Sequence, residues 1–152
     1  MKRFAITLLS FLAACGGTPV SYLVSAPQPE DASYACALRR INELGYNITN
    51  VNKEARFITA DKQTTGKAFK LWTGAEFHDQ LTVSIFGDSA SGGRKMRVTA
   101  ASVSRQSNLF GTSTEGKPPS DEGKRNANDL LIACGSGPVS KQGSGGEAAA
   151  QQ

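Results

Sequence analysis

Two stretches in the middle of the chain, residues 80–86 and 95–103, alternate between apolar and polar side chains. The apolar positions are Leu81, Val83 and Ile85 in the first stretch and Met96, Val98 and Ala100 in the second. A period of two places these side chains on one face of a strand. The glycine-rich residues 87–93 between them are typical of a hairpin loop and lack the GK[ST] pattern of a phosphate-binding loop. The sequence therefore predicts an antiparallel sheet covered on one side only.

Amphipathic helices are predicted before and after the strands, and each is followed by a glycine. They run from Asp31 or Ser33 to Leu44 and from Ser120 or Asp121 to Cys134. Two shorter strands are predicted at residues 46–51 and 55–62. The order α-β-β-β-β-α predicts an α+β domain of two layers, in which a four-stranded antiparallel meander is covered on one face by the first and last helices.

The start of the chain has the parts of a secretory signal. A basic dipeptide precedes an apolar run, residues 4–12, which is too short to span a bilayer core and is followed by small residues. The end of this segment, Leu12-Ala13-Ala14-Cys15, resembles the lipobox of bacterial lipoproteins, where a signal peptidase cuts before the cysteine. The alternative is an ordinary secretory signal, with Cys15 lost or free.

The resemblance implies that Cys15 becomes the first residue and carries a diacylglyceryl group on its sulfur and usually an acyl group on its amine. Several acyl chains anchor a protein stably, whereas one holds it only marginally. Gly16 follows the cysteine, and the absence of Asp at that position resembles the pattern of enteric-type lipoproteins sent to the outer membrane. The predicted location is the bacterial cell envelope, with the protein facing the periplasm. The α-β-β-β-β-α order also resembles small envelope-lipoprotein domains of helix-grip type.

The predicted domain organisation follows from these segments. Residues 1–14 are the lipoprotein signal peptide, 15–30 the lipidated cysteine and a tether, 31–135 the α+β domain, and 136–152 a disordered tail of Gly, Ser, Ala and Gln. Removal of the signal peptide takes two of the 17 basic residues and lowers the formal charge from +4 to +2. The other basic residues are scattered among acidic ones, so nucleic acid is not expected as a partner.

After Cys15, two cysteines remain, Cys36 and Cys134, in a compartment where disulfides persist. Cys36 lies on a flank of small residues in the first helix, off the main apolar stripe, which fits a bridge to a neighbouring helix. The alternative is two separately buried thiols. No metal site is expected, because His78 is the sole histidine and no CxxC spacing occurs. No cofactor is expected either.

The long link between the second and third predicted strands, residues 63–78, is the candidate for binding a partner. Its aromatic residues, Phe69, Trp72 and Phe77, lie near lysines and could engage an envelope protein, a glycan or lipid headgroups. The alternative is that they fill the end of the core. His78 is predicted to be a solvated loop histidine, since no G-x-S-x-G elbow is present and adjacent His78 and Asp79 would point to opposite faces of a strand.

Three functions remain open at this point. The favoured one is a non-enzymatic, membrane-anchored envelope lipoprotein that binds or scaffolds another envelope component. The second is a carrier or sensor of a small apolar ligand, which requires a cavity beneath Leu81, Val83 and Leu130. The third is an envelope hydrolase, which requires His78 beside a nucleophile and a carboxylate in one cleft.

Overall fold

The computed structural model of the chain describes residues 17–26, 29–87, 93–108, 111–135 and 140–142. The predicted signal peptide, residues 1–14, and the predicted lipidation site, Cys15, lie outside the described residues. Within them the chain forms seven strands and three helices. In order these are β1 (Val20–Ser25), α1 (Glu30–Glu43), β2 (Asn47–Asn52), β3 (Phe57–Gln63), α2 (Lys67–Thr73), β4 (Ala75–Gly87), β5 (Arg94–Asn108), β6 (Gly111–Lys117), α3 (Asp121–Cys134) and β7 (Ser140–Gln142).

One antiparallel sheet contains all seven strands, and β5 is at its centre. One edge of β5 pairs with β4 along nearly its whole length. The other edge is shared, because residues 95–100 pair with β1 and residues 102–108 pair with β6. Beyond β4 the order continues through β3 to β2, and β7 lies outside β1. The strands β1 and β6 therefore follow one another along a single edge of β5.

The hydrophobic core lies between one face of the sheet and the helices α1 and α3. From the sheet it receives the alternating side chains that the sequence pattern marks, with Ile58 and Ala60 on β3. From the helices it receives Tyr34, Ala37 and Ile41 of α1 and Ala127, Leu130 and Leu131 of α3. Each of these is almost completely removed from water, so the three-to-four-residue spacing of the helices and the two-residue spacing of the strands meet in one core.

The predicted α+β class is confirmed, and the predicted strand number is wrong. The four predicted strands are β2 to β5, which are joined in order as an antiparallel meander. Three further strands occur in segments where none was predicted. β1 lies in the predicted tether, β6 between the last predicted strand and the last predicted helix, and β7 in the predicted tail. The link 63–78 contains the short helix α2, and β4 begins at Ala75, earlier than predicted.

The two long helices have nearly the predicted bounds. At α1 the chain turns at Gly45, whose φ of +77° is the left-handed conformation that favours glycine. At α3, Ser120 is the N-cap, and its hydroxyl accepts a hydrogen bond from the Gly123 amide at 2.9 Å. The predicted disulfide is present, since Cys36 on α1 is bonded to Cys134 on α3 with their Cα atoms 5.6 Å apart.

Candidate functional site beneath the start of α3

A buried carboxylate lies where the core ends, beneath the first turn of α3. Asp79 of β4 occupies an inward position in register with the core residues of that strand, and it is only 1% exposed. Its two oxygens accept hydrogen bonds from two serine hydroxyls, that of Ser102 directly opposite on β5 and that of Ser120 at the N-cap of α3. Burying a carboxylate is costly unless hydrogen bonds replace its water, and the two serines supply them.

The helix end contributes to the same environment. The Ser120 amide donates to the Ser102 hydroxyl at 3.3 Å, so the N-cap residue is tied to the sheet as well as to Asp79. The N-terminus of a helix carries a partial positive charge that favours a nearby anion. Gly123 permits the close approach, because a Cβ added there would lie 3.2 Å from an Asp79 carboxylate oxygen. We call Asp79, Ser102 and Ser120 the carboxylate cluster.

A pocket of about 370 Å³ opens beside the carboxylate cluster. Besides the three members of the cluster, its lining residues are Thr64, Phe77, Lys117 and Pro118. Its volume is within the range of about 300–1,000 Å³ that small-molecule sites occupy. The pocket therefore combines an aromatic wall with hydroxyls, a carboxylate and a lysine, a set that can hold a small ligand or a side chain with both apolar and polar parts.

A second polar layer closes the site on the side of β3. Lys62 donates to Glu122 at 2.8 Å and to the Leu44 carbonyl at 3.1 Å, which joins β3 to the ends of both long helices. The hydrogen bond from Lys62 lowers the pKa of Glu122. Tyr46 is buried nearby, its hydroxyl accepts from the Asn126 amide at 3.3 Å, and burial raises the pKa of its phenol.

His78 is on the opposite face of the sheet and is 8% exposed, so the prediction of a solvated loop histidine is wrong. Its Nδ1 is 3.1 Å from a carboxylate oxygen of Asp61, and its Nε2 is 3.5 Å from one of Glu76. Glu76 also accepts from Lys70 of α2, and the bonds from Lys70 and His78 lower the pKa of Glu76. Both ring nitrogens of His78 thus face carboxylates, and the sheet separates this histidine from the serines of the carboxylate cluster.

The structure separates the aromatic residues that the sequence groups together. Trp72 lies on α2 and is 90% exposed, and its neighbour Leu71 is 86% exposed. The alternative that the aromatic residues of this link fill the end of the core is therefore wrong for Trp72. Phe77 is half-buried and forms a wall of the pocket, and Phe69 lies in α2. The link 63–78 thus contributes Thr64 and Phe77 to the pocket and, separately, the exposed pair Leu71 and Trp72 to the surface.

The carboxylate cluster is the part of the site that the sequence analysis missed. One signal was available, because Asp79 and Ser102 continue the inward alternation of Leu81, Val83 and Ile85 and of Met96, Val98 and Ala100. A polar residue at the end of an apolar alternation marks the place where the core meets a polar partner. Ser120 carried a signal only as an N-cap.

Comparison with known proteins gives this site no assignment: no family model matches the chain, and no curated protein matches it. Across the described ranges, no helix is both long and apolar enough to cross a membrane. Nor do the described side chains include a group of three or more His, Cys, Asp or Glu that could hold a metal ion.

Proposed function

We propose that the chain is a membrane-anchored bacterial envelope lipoprotein whose α+β domain is a non-enzymatic binding module. The observation that carries the proposal is the run Leu12-Ala13-Ala14-Cys15 behind a basic start and a short apolar segment. The disulfide between Cys36 and Cys134 supports it, because such bonds persist in an oxidising compartment outside the cytoplasm. The anchor would be acyl chains on Cys15, and the location the outer membrane on its periplasmic side.

The binding surface of this module is the pocket beside the carboxylate cluster. Its rim includes Lys117 and Pro118, and the chain that leads to Cys15 runs against both, since an added Cβ at Gly17 would lie 2.3 Å from their backbone atoms. A partner held there would be close to the membrane. Asp79 and Ser102 are nearly fully buried and bonded to each other, so the polar groups left to meet a partner are those of Thr64 and Lys117. They favour a partner with hydroxyl or carbonyl oxygens, such as a side chain of another envelope protein or a glycan.

A carrier of a small ligand is the second candidate, and the same pocket favours it. The cavity that an apolar ligand would need was expected beneath Leu81, Val83 and Leu130, but none of these three residues lines the pocket described above. The pocket beside Asp79 is instead partly polar, so a carried ligand would be amphipathic rather than purely apolar.

The anchor is tested by growing cells with an alkyne analogue of palmitate and measuring its incorporation into the full-length chain. The wild type should incorporate the label and partition with membranes, and Cys15→Ser should lose both. The double variant Cys36→Ala and Cys134→Ala is the matched control, because it removes two cysteines but keeps position 15 and should be labelled. Equal labelling of Cys15→Ser and the wild type would contradict the anchor, and so would an unlabelled wild type.

The binding surface is tested by crosslinking in intact cells followed by mass spectrometry. Lys117→Glu reverses a charge on the rim of the pocket, and Lys124→Glu reverses one on α3 that does not line the pocket. The two lysines are matched, since each pairs with one exposed carboxylate, Glu115 and Asp121 respectively. A crosslink lost in Lys117→Glu and kept in Lys124→Glu supports the proposal, and identical patterns in all three proteins would contradict it.

A further inference from the structure

Leu71 and Trp72 form an exposed apolar pair at the end of α2. Among the described residues the other exposed large hydrophobic side chains, Val51 and Ile132, lie singly on β2 and α3. Single exposed hydrophobic residues are common and need no special explanation, whereas Leu71 and Trp72 are adjacent. We call this pair the apolar tip. The sequence of α2, KAFKLWT, adds two lysines and no acidic residue.

The N-terminal chain reaches the same half of β5 as α2, on the edge of β5 that pairs with β6. The Gly17 amide donates to the Gly116 carbonyl at 3.0 Å, and Gly116 lies opposite Val103 of β5. The Ser107 amide of β5 donates to the carbonyl of Gly74, the residue that ends α2. Val103 and Ser107 are about 13 Å apart along the strand, from a rise of about 3.3 Å per residue. Because β1 is antiparallel to β5, the chain that precedes β1 runs toward this half of β5.

Little chain separates this half of the sheet from the proposed anchor. Only Gly16 lies between Cys15 and Gly17, so their Cα atoms can be at most about 7 Å apart. The expected tether, residues 15–30, contains β1, which belongs to the sheet. An acylated Cys15 would bring a lipid surface to the half of the sheet that carries α2.

The helices that cover the core extend toward the start of β5, away from α2. Helix α3 starts above Ser102, where the Ser120 amide donates to the Ser102 hydroxyl. It ends beside Val24 of β1, a strand residue that lies opposite Met96. The start of β5 is thus covered by helices, whereas its other end is close to the apolar tip. The exposed Ile132 lies in the last turn of α3, on the half away from the tip.

We propose that Leu71 and Trp72 insert into the headgroup region of the membrane beside the acylated cysteine. They would form a second contact that fixes the orientation of the domain on the lipid surface. Tryptophan is favoured at such interfaces because its ring is apolar and its N–H stays hydrated. Of the two lysines in α2, Lys70 is paired with Glu76, so the membrane contact depends on the apolar pair. This inference rests on the proposed lipid anchor and names a phospholipid surface, rather than a protein, as the partner of the tip.

The chain contains a single tryptophan, so its fluorescence reports on this tip alone. The full-length lipidated protein is reconstituted into vesicles of phosphatidylethanolamine and phosphatidylglycerol, with or without brominated acyl chains. We expect bromine to quench most of the Trp72 emission and the emission in plain vesicles to shift to shorter wavelength than in buffer. Leu71→Asp should remove most of the quenching and reverse the shift while the protein still floats with the vesicles.

A matched control moves the probe to the other end of the domain. In the double variant Trp72→Phe and Ile132→Trp, the single tryptophan lies at an exposed position of α3 and should not be quenched. Flotation of the vesicles reports the anchor separately. Protein that floats but shows unquenched Trp72 emission would overturn the membrane contact, leave the anchor intact, and return the tip to a protein partner. Protein that does not float would overturn the anchor and this inference with it.

Discussion

Reduction of the disulfide between Cys36 and Cys134 should remove a large share of the stability of the domain. The bond joins residues 98 positions apart. In the chain-entropy model a crosslink that closes a loop of about 100 residues contributes up to about 4.7 kcal/mol, and native-state strain and residual structure reduce this, so we expect about 3 kcal/mol. Domains of this size have total stabilities of about 5–15 kcal/mol. The bond also holds α1 beside α3, the two helices that cover the core.

The assay is urea unfolding of the full-length chain with and without a thiol reductant, followed by circular dichroism. With a urea m-value of about 1–2 kcal/mol/M, a loss of about 3 kcal/mol lowers the midpoint by about 1.5–3 M. Reduction is preferable to substitution as the primary test, because Cys134 is buried and its replacement also changes packing. The variant with both cysteines changed to alanine is the control and should not respond to reductant. An unchanged midpoint after complete reduction, verified by mass, would refute the reasoning.

Three further predictions concern the site and the entry of the chain. Ser120→Ala removes the N-cap of α3 and one of the two hydroxyls that bond Asp79, so thermal unfolding should show a loss of about 1–3 kcal/mol, whereas the exposed Ser25→Ala should cost little. Gly17→Ala should lower the melting temperature and speed amide exchange at position 17, because the alanine Cβ would lie 2.3 Å from the backbone of Lys117 and Pro118. Gly66→Ala is the control and should do neither, because no atom lies within 4 Å of an added Cβ there. Burial raises the pKa of Tyr46, so the unfolded chain loses the phenol proton at a lower pH than the folded one does. The contribution of this shift to the free energy of unfolding is complete below the unfolded pKa and is lost as pH rises through the folded pKa. Unfolding free energies measured across alkaline pH should therefore fall less steeply for Tyr46→Phe, and equal slopes would contradict this.

The sequence predicted best where burial imposes a period. Across residues 81–85 of β4 and 96–100 of β5 every second side chain is apolar, and in α1 and α3 the apolar side chains recur at helical spacing, so both element type and core face were predictable. The bridge between Cys36 and Cys134 was predictable on other grounds. Two cysteines remain after Cys15, and a flank of small residues around Cys36 indicated where a second helix could approach.

The additional strands have no such period. In β6, Gly111–Lys117, no side chain is apolar, and the strand exists because β5 offers it a free edge rather than because of its own composition. β1 was assigned to a tether because proline and glycine surround it, although Tyr22, Leu23 and Val24 gave it an apolar character. α2 has seven residues and no side-chain cap, so it depends on the surrounding sheet rather than on helix propensity.

The carboxylate cluster was hidden for a related reason. Asp79 and Ser102 become neighbours only through the register of β4 with β5, and Ser120 joins them only through the docking of α3. Sequence spacing does not encode a contact between residues 23 and 41 positions apart. What the sequence does contain is the interruption of an apolar alternation, and that interruption locates one end of the core without naming the partners of the carboxylate.

The position of β1 has a consequence for the biogenesis of the domain. This strand precedes every other described element in the chain, yet its partner strand β5 begins about 70 residues later, at Arg94. Pairings of such long sequence separation form slowly, so this edge of β5 stays unpaired with β1 until about the first 100 residues have been synthesised. Under the export that we propose, this late pairing would keep the precursor extended for longer before it crosses the membrane.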